Sequence, residues 1–431
     1  MVALEDRERA RRHRSKGSMD DSDRLSSDSN VGSVRPIVNT HVHLPPNFSA
    51  FDTVEQAVQV AAAEGVAAVG TSNYHDFRVY ARFAAAAAEA RILPLFGVEI
   101  ITLIDDRPGG GMLVNDPTNL NRMYLCGKAI TRLDPPIPAA ARRMATMRAA
   151  SEARIREMTV RIAARFGQAG LDGGLTDERI AASVAERSGV PIEWVSLQER
   201  HVAQAFQELL FRDVASDDRV AMLGRLFGAE TRVDATDAVA VQEAIRSNLM
   251  KAGKPAFVPE AAVSFDDAYR LILELGGIPC YPILADGASP ICPFEDPPEA
   301  LAERLLSRGI YCAELIPGRN RYQVVDRYVA ALRGAGIVVT AGTEHNTQRM
   351  IPLEPMALGG ERLSDASREA FWEGTCVVAA HQQLCASAEP GYVDGDGRPA
   401  AGFADDEARI RSFRRIGADL ITARSAPGIQ A

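Results

Sequence analysis

The sequence predicts an α/β protein: a parallel sheet or barrel assembled from βα units and interrupted once by a mainly helical insertion. From Pro36 onward, short β-rich runs alternate with Ala-rich stretches of helical character, the order in which strand, crossover helix and parallel strand follow one another. Between about 102 and 262 that alternation stops, and segments dominated by Arg, Glu and Ala read instead as several amphipathic helices. The 431 residues are 46% hydrophobic and 24% charged, enough apolar material for a large core.

The expected strands are Pro36–Val42, Val66–Thr71, Ile92–Ile100, Ile278–Ile283, Ile310–Ile316, Ile337–Ala341 and Thr375–Ala380. The helices between them are expected near Thr53–Glu64, Arg78–Ala90, Phe265–Leu275, Pro298–Ser307, Tyr322–Gly334 and Ser364–Trp372. Gly65, Gly276, Gly309 and Gly336 each follow a helix, where a left-handed residue commonly ends it. The insertion opens with the Gly-rich turn Pro108-Gly109-Gly110-Gly111 and a hairpin through Tyr124. Residues 1–34, rich in Ser, Asp and Arg, hold too few large apolar side chains to offset ordering entropy, so a disordered tail is expected there. Residues 391–431 form a C-terminal extension to the expected barrel of 35–101 and 263–390.

Charge and composition exclude several classes. A net charge of −9 argues against a nucleic-acid footprint or an anionic membrane surface. No apolar run reaches the roughly 18 residues that span a bilayer. Six scattered cysteines without a C-x-x-C pair fit reduced thiols, and the expected location is cytoplasmic. A small anionic substrate is the expected partner, and a homo-oligomer stays open.

His41 and His43, two apart on a strand, point to the same side and can converge on one metal ion. His75, His345 and His381 also fall at or after expected strand ends, and Asp76, Glu99, Glu314 and Glu344 join them. In a parallel barrel those ends share one mouth, where sites are assembled. Lys128 follows Gly127 near the return from the hairpin and could reach that mouth. Arg319 and Arg321 beside Glu314 could recognise an anion or form a surface cluster.

Four stretches carry a family resemblance: Asn39-Thr40-His41-Val42-His43, Gly70-Thr71-Ser72-Asn73-Tyr74-His75-Asp76, Leu93-Pro94-Leu95-Phe96-Gly97-Val98-Glu99-Ile100 and Ala341-Gly342-Thr343-Glu344-His345-Asn346. Together they resemble the signature regions of the PHP (polymerase and histidinol phosphatase) superfamily. The resemblance implies a distorted seven-stranded (β/α)7 TIM-like barrel, with the helical insertion after its third strand. It also implies divalent ions (Zn, Mn or Fe) and, in many members, phosphoester hydrolysis. Carried over residue by residue, it implies a first metal site of His41, His43, Glu99 and Glu344, and a second that draws on His345 with His75 or His201. Glu199-Arg200-His201-Val202-Ala203 is similar to a helix start of the phosphoesterase branch, whose Arg and His point back to the site.

The chain departs from the family at three places. Ser72 and Asn73 follow Thr71 where T-D-H is usual, Tyr281 stands where a fourth-strand His is common, and the final acid is Glu344. Fewer than three ions are therefore expected, one or two per chain, with Tyr281 as a hydrogen-bond donor to an oxyanion and Arg200 and His201 as further site groups. The expected activity is metal-dependent hydrolysis of a small anionic metabolite, a phosphoester by default. A lyase, isomerase or amide hydrolase on a sugar or carboxylate, or a non-catalytic binding module, are the alternatives.

Overall fold

The computed structural model describes residues 35–104, 111–133, 137–260 and 262–425. The expected tail and most of the Gly-rich turn lie outside the described residues.

The chain begins with β1 (Ile37–Val42), α1 (Val54–Ala63), β2 (Val66–Thr71), α2 (Tyr80–Glu89) and the short β3 (Leu93–Leu95). Thr53 caps α1 by accepting from Gln56 N at 3.1 Å, and Gly65 ends it at φ +70°. Then come β4 (Val98–Leu103), β5 (Arg122–Lys128) and five helices: α3 (Pro138–Gln168), α4 (Asp177–Ser188), α5 (Glu199–Asp213), α6 (Arg219–Phe227) and α7 (Ala238–Ile245), the last continued by a π-helical turn, Arg246–Met250. The alternation resumes with β6 (Val263–Ser264), α8 (Phe265–Glu274), β7 (Ile278–Ile283), α9 (Pro298–Leu306), β8 (Cys312–Leu315), α10 (Tyr322–Gly334) and β9 (Val338–Ala341). It ends with α11 (Asp365–Ala386) and α12 (Asp406–Ser425).

The strands form two sheets, one in the order β1-β2-β3 and one in the order β6-β4-β5-β7-β8-β9, and not a single closed barrel. Isolated bridges link the sheets at Val42–Glu344 and at Tyr74–Glu99. The expected third strand, Ile92–Ile100, is broken at Phe96-Gly97: its first half stays with β2, and its second half becomes β4. Gly97 sits between the sheets, where a Cβ would come within 2.5 Å of Thr71 O and 2.8 Å of Gly127 O. The hairpin through Tyr124 forms as expected. Its return strand β5 then pairs antiparallel with both β4 and β7, so this part of the insertion belongs to the sheet.

The expected seventh strand, Thr375–Ala380, is helix. It lies inside α11, which starts at the Ser364 cap and runs well past Trp372. Every residue from Ala370 to His381 is buried, and a helix apolar on all sides reads in sequence like a buried strand. Gly374 permits this course: a Cβ there would lie 2.1 Å from Val339 O on β9. One large apolar cluster joins the sheets to α1, α2 and α8–α10, while α3–α7 share a second one around Met158, Phe166, Phe206 and Leu223.

Candidate metal centre and cleft

His41 is the fifth residue of β1, and His43 follows the strand on the same side. Their Nε2 atoms lie 3.3 Å apart. Glu99, near the start of β4, brings Oε2 to 3.3 Å from His43 Nε2 and 3.6 Å from His41 Nε2. All three side chains are buried, and Glu99 Oε2 and His43 Nδ1 have no hydrogen-bond partner. The two imidazole Nε2 atoms are thus what Glu99 Oε2 faces. A tetrahedral ion with bonds of about 2.1 Å holds its ligand atoms roughly 3.4 Å apart, so these atoms fit one face of such an ion.

A buried ion-pair network orients His41 from behind. Glu314 Oε2 lies 2.6 Å from His41 Nδ1, and Glu314 Oε1 lies 2.6 Å from Lys128 Nζ while accepting from Thr40 Oγ1 at 2.9 Å. Lys128 also donates to Thr40 O at 3.0 Å and to Ser72 Oγ at 3.1 Å. With Nδ1 committed to Glu314, His41 presents Nε2 to Glu99 and His43, the carboxylate–imidazole arrangement that fixes a metal-ligating tautomer. Burial would raise the Glu314 carboxyl, but Lys128 and His41 hold it at about 2. Burial would lower His41, yet Glu314 holds its pKa well above the ordinary value. For Glu99 burial is likewise outweighed, here by His41 and His43, and the carboxyl is shifted far down.

The departures in the second region have a structural outcome. Tyr74 donates to Glu99 Oε1 at 3.1 Å and stacks on His43 with ring centroids 5.6 Å apart. Tyr74 thus helps fix Glu99, a role the motif comparison did not assign. Asn73 pins the loop after β1 by accepting from Leu44 N at 2.8 Å and donating to Leu44 O at 2.9 Å. Asp76 pairs with Arg78 and closes a local turn. His75 lines the same cavity as His43, and burial pushes its pKa down to about 4.

Several expected site residues take other roles. Glu344 lies beside the centre through its backbone, accepting from His43 N at 2.8 Å, but its carboxylate is turned to Arg319 and Asn346. His345 is outside the ligand cluster: Nδ1 is 2.7 Å from Thr343 Oγ1, Nε2 is 3.0 Å from Ile351 O, and the ring stacks on Phe51. His201 accepts from Gln198 N at 3.0 Å as part of the capping box of α5, and it lines a separate cavity beside Phe48. Tyr281 faces away from the centre. Glu314 neighbours Pro282 across the sheet and Tyr281 neighbours Ala313, so pleat alternation turns the phenol to the opposite face, where it donates to Glu295 at 2.9 Å. His381 lies within α11 and accepts from Tyr392 N at 2.9 Å.

A cavity of about 170 Å³ opens beside the centre. His43, Phe48, Tyr74, His75, Ile101 and Asn346 line it from the sheet side, and the helical insertion with β5 and the loop before it supply the rest. Five cationic side chains (Arg122, Arg154, Arg200, Arg246 and Lys251) meet three acids there (Asp116, Glu199 and Glu260). Arg200 is thus brought to the cleft, as expected from sequence. The other four were not expected, because an Arg-rich helical stretch carries no periodic signal that separates a cleft wall from a solvated face.

No family model and no curated protein sequence matches the chain. Among solved structures it is similar to a protein provisionally named a metal-dependent phosphoesterase from Bifidobacterium adolescentis, at 18% identity and a TM-score of 0.48, covering 77% of this chain and 94% of that one. An amidohydrolase from Chromobacterium violaceum with bound sulfate and no metal is similar at 18% identity and a TM-score of 0.48, covering 77% and 95%. At that similarity, a functional reading rests on this chain's own residues. None of the six cysteines is in a disulfide, and no described helix is long and apolar enough to cross a membrane.

Proposed function

We propose that this protein is a metal-dependent hydrolase of a small anionic metabolite, with a phosphoester as the bond cleaved. One observation carries the reading: His41 Nε2, His43 Nε2 and the unpartnered Glu99 Oε2 face one another at 3.3–3.6 Å beside a cation-rich cleft. Two imidazoles and a carboxylate suit Zn, Mn or Fe, and this single face supports one ion per chain. When bound, such an ion supplies Lewis acidity and makes water nucleophilic near neutral pH.

The chain's own groups do the rest. Glu314 accepts a hydrogen bond from His41 Nδ1–H and leaves Nε2 as the ligand atom, while Tyr74 occupies Oε1 of Glu99 and leaves Oε2. Lys128 keeps Glu314 ionised. Arg200, at the cleft, can orient an anionic group through paired N–H donors. Burial keeps His75 neutral at pH 7, so at the cleft it offers an uncharged imidazole and not a cation.

The test is a metal analysis of protein purified without added metal, alongside a variant in which His41 and His43 are both Ala. About one ion per chain is expected in the wild type and close to none in the variant. Hydrolysis of phosphomonoesters or phosphodiesters should disappear with the ion and return on its addition. Unchanged metal content in the double variant would show that the H-x-H pair is not the anchor.

A further inference from the structure

We infer that the helical wall of the cleft carries a second anion site, so that the substrate is a small molecule with two anionic groups, one at the metal centre and one held among Arg154, Arg246 and Lys251. The inference rests on the hydrolase reading for its first group and on the wall alone for its second.

Glu199, at the start of α5, is the hub of this wall. Lys251 Nζ lies 2.6 Å from its Oε1, Arg246 Nε 3.0 Å from the same oxygen, and Arg154 Nη2 3.3 Å from its Oε2. Arg246 also pairs with Glu243 at 2.8 Å, and Glu243 takes Arg200 as well. Four cations therefore share these two carboxylates, and with Arg122, Glu260 and Asp116 the wall holds five cations against four acids. A network that served only to fasten α5 to the π-helical turn would be expected to balance its charges, because clustered cations repel and desolvation makes each surplus one expensive.

The surplus sits at a cavity and not in the core. Arg154 and Arg246 are only 10% and 13% exposed, whereas Lys251 is 38% exposed, so its ammonium can turn to a bound anion without unmaking the wall. The surplus positive charge suits a phosphate or a carboxylate group, and Arg guanidinium forks fit either. Burial and the neighbouring Arg246 shift the Arg200 guanidinium down from its ordinary value. The cavity, at about 170 Å³, has room for a small anionic group beside the centre.

The experiment titrates full-length protein with inorganic phosphate, calorimetrically, with and without a chelator. Chelated wild type should bind one phosphate per chain, at the wall. Lys251→Met should weaken that binding by about 10-fold, the value of one charge-assisted contact, while Lys251→Arg keeps it within about threefold. Addition of the metal should create a second phosphate site. Absence of binding to chelated wild type overturns the inference, as does a Lys251→Met variant that binds as tightly as wild type. If the wall phosphate is retained but no second one appears with metal, the hydrolase reading fails while the wall site stands.

Discussion

Glu314 shows how much of a metal site is decided by a residue that need not touch the ion. Its carboxylate is fully buried between the Nδ1 of His41 and the ammonium of Lys128. Glu314→Gln should cut metal affinity by about 10- to 100-fold, the usual cost of losing a partner that orients a ligating imidazole. It should also destabilise the fold by roughly 3–5 kcal/mol, because Lys128 is left as a buried, uncompensated charge. A chelator competition reads the first effect and urea unfolding the second. A Glu314→Gln variant with wild-type metal affinity would remove Glu314 from the site. The H-x-H pair was legible because strand geometry puts residues two apart on one side. The partnership of Glu314 with His41 was not, since 273 residues separate them. Tyr281 was misplaced for a related reason: a one-residue difference in strand phase exchanges the two faces of a sheet, and the phase is set by its neighbours.

Among the elements, α11 departs furthest from expectation. Its Thr375–Ala380 segment has the composition of a buried strand, and its backbone passes so close to β9 that position 374 must lack a Cβ. Gly374→Ala should therefore destabilise the protein by about 1–3 kcal/mol, although alanine is the better helix former, because Val339 O must move to admit the methyl group. Urea unfolding of the variant checks this, and a gain in stability would mean that the approach is looser than described. The helices around it were foreseeable where caps and stops are local. Ser264 and Ser364 cap α8 and α11, and Gly276, Gly309 and Gly336 end their helices at positive φ. A helix buried on every side has no amphipathic period, so its secondary structure is decided by what packs around it.

For the molecule as a whole, stability should depend on pH through histidines far from the centre. Burial lowers His201 to about 3 and His381 to about 4, and each accepts a backbone N–H through Nδ1. Both are therefore neutral in the folded protein, whereas the unfolded chain takes up protons near the ordinary value of about 6.5. Their stabilising contribution is fully present above about pH 6.5 and is lost as pH falls from there toward 4. The loss should approach about 2–4 kcal/mol for each residue. Urea midpoints at pH 7 and pH 5 measure it, and His381→Gln should shrink the difference. Equal dependence on pH in wild type and variant would show that His381 does not carry the effect.

What the sequence determined by itself was local: most of the βα alternation, helix starts and stops at named caps and glycines, and a pair of histidines held in phase by one strand. These depend on residues a few positions apart, where backbone geometry alone fixes the outcome. The tertiary structure decided which carboxylates face those histidines, choosing Glu99 and Glu314 while turning Glu344 toward Arg319. It decided that the sheet stays open at Gly97, that the Val-rich run after Gly374 is helix, and that the Arg-rich insertion forms one wall of a cleft. The physical reason is common to all of these: burial, pleat phase and charge pairing are properties of neighbours in space, and a chain position carries no record of which distant residue will stand within 3 Å of it.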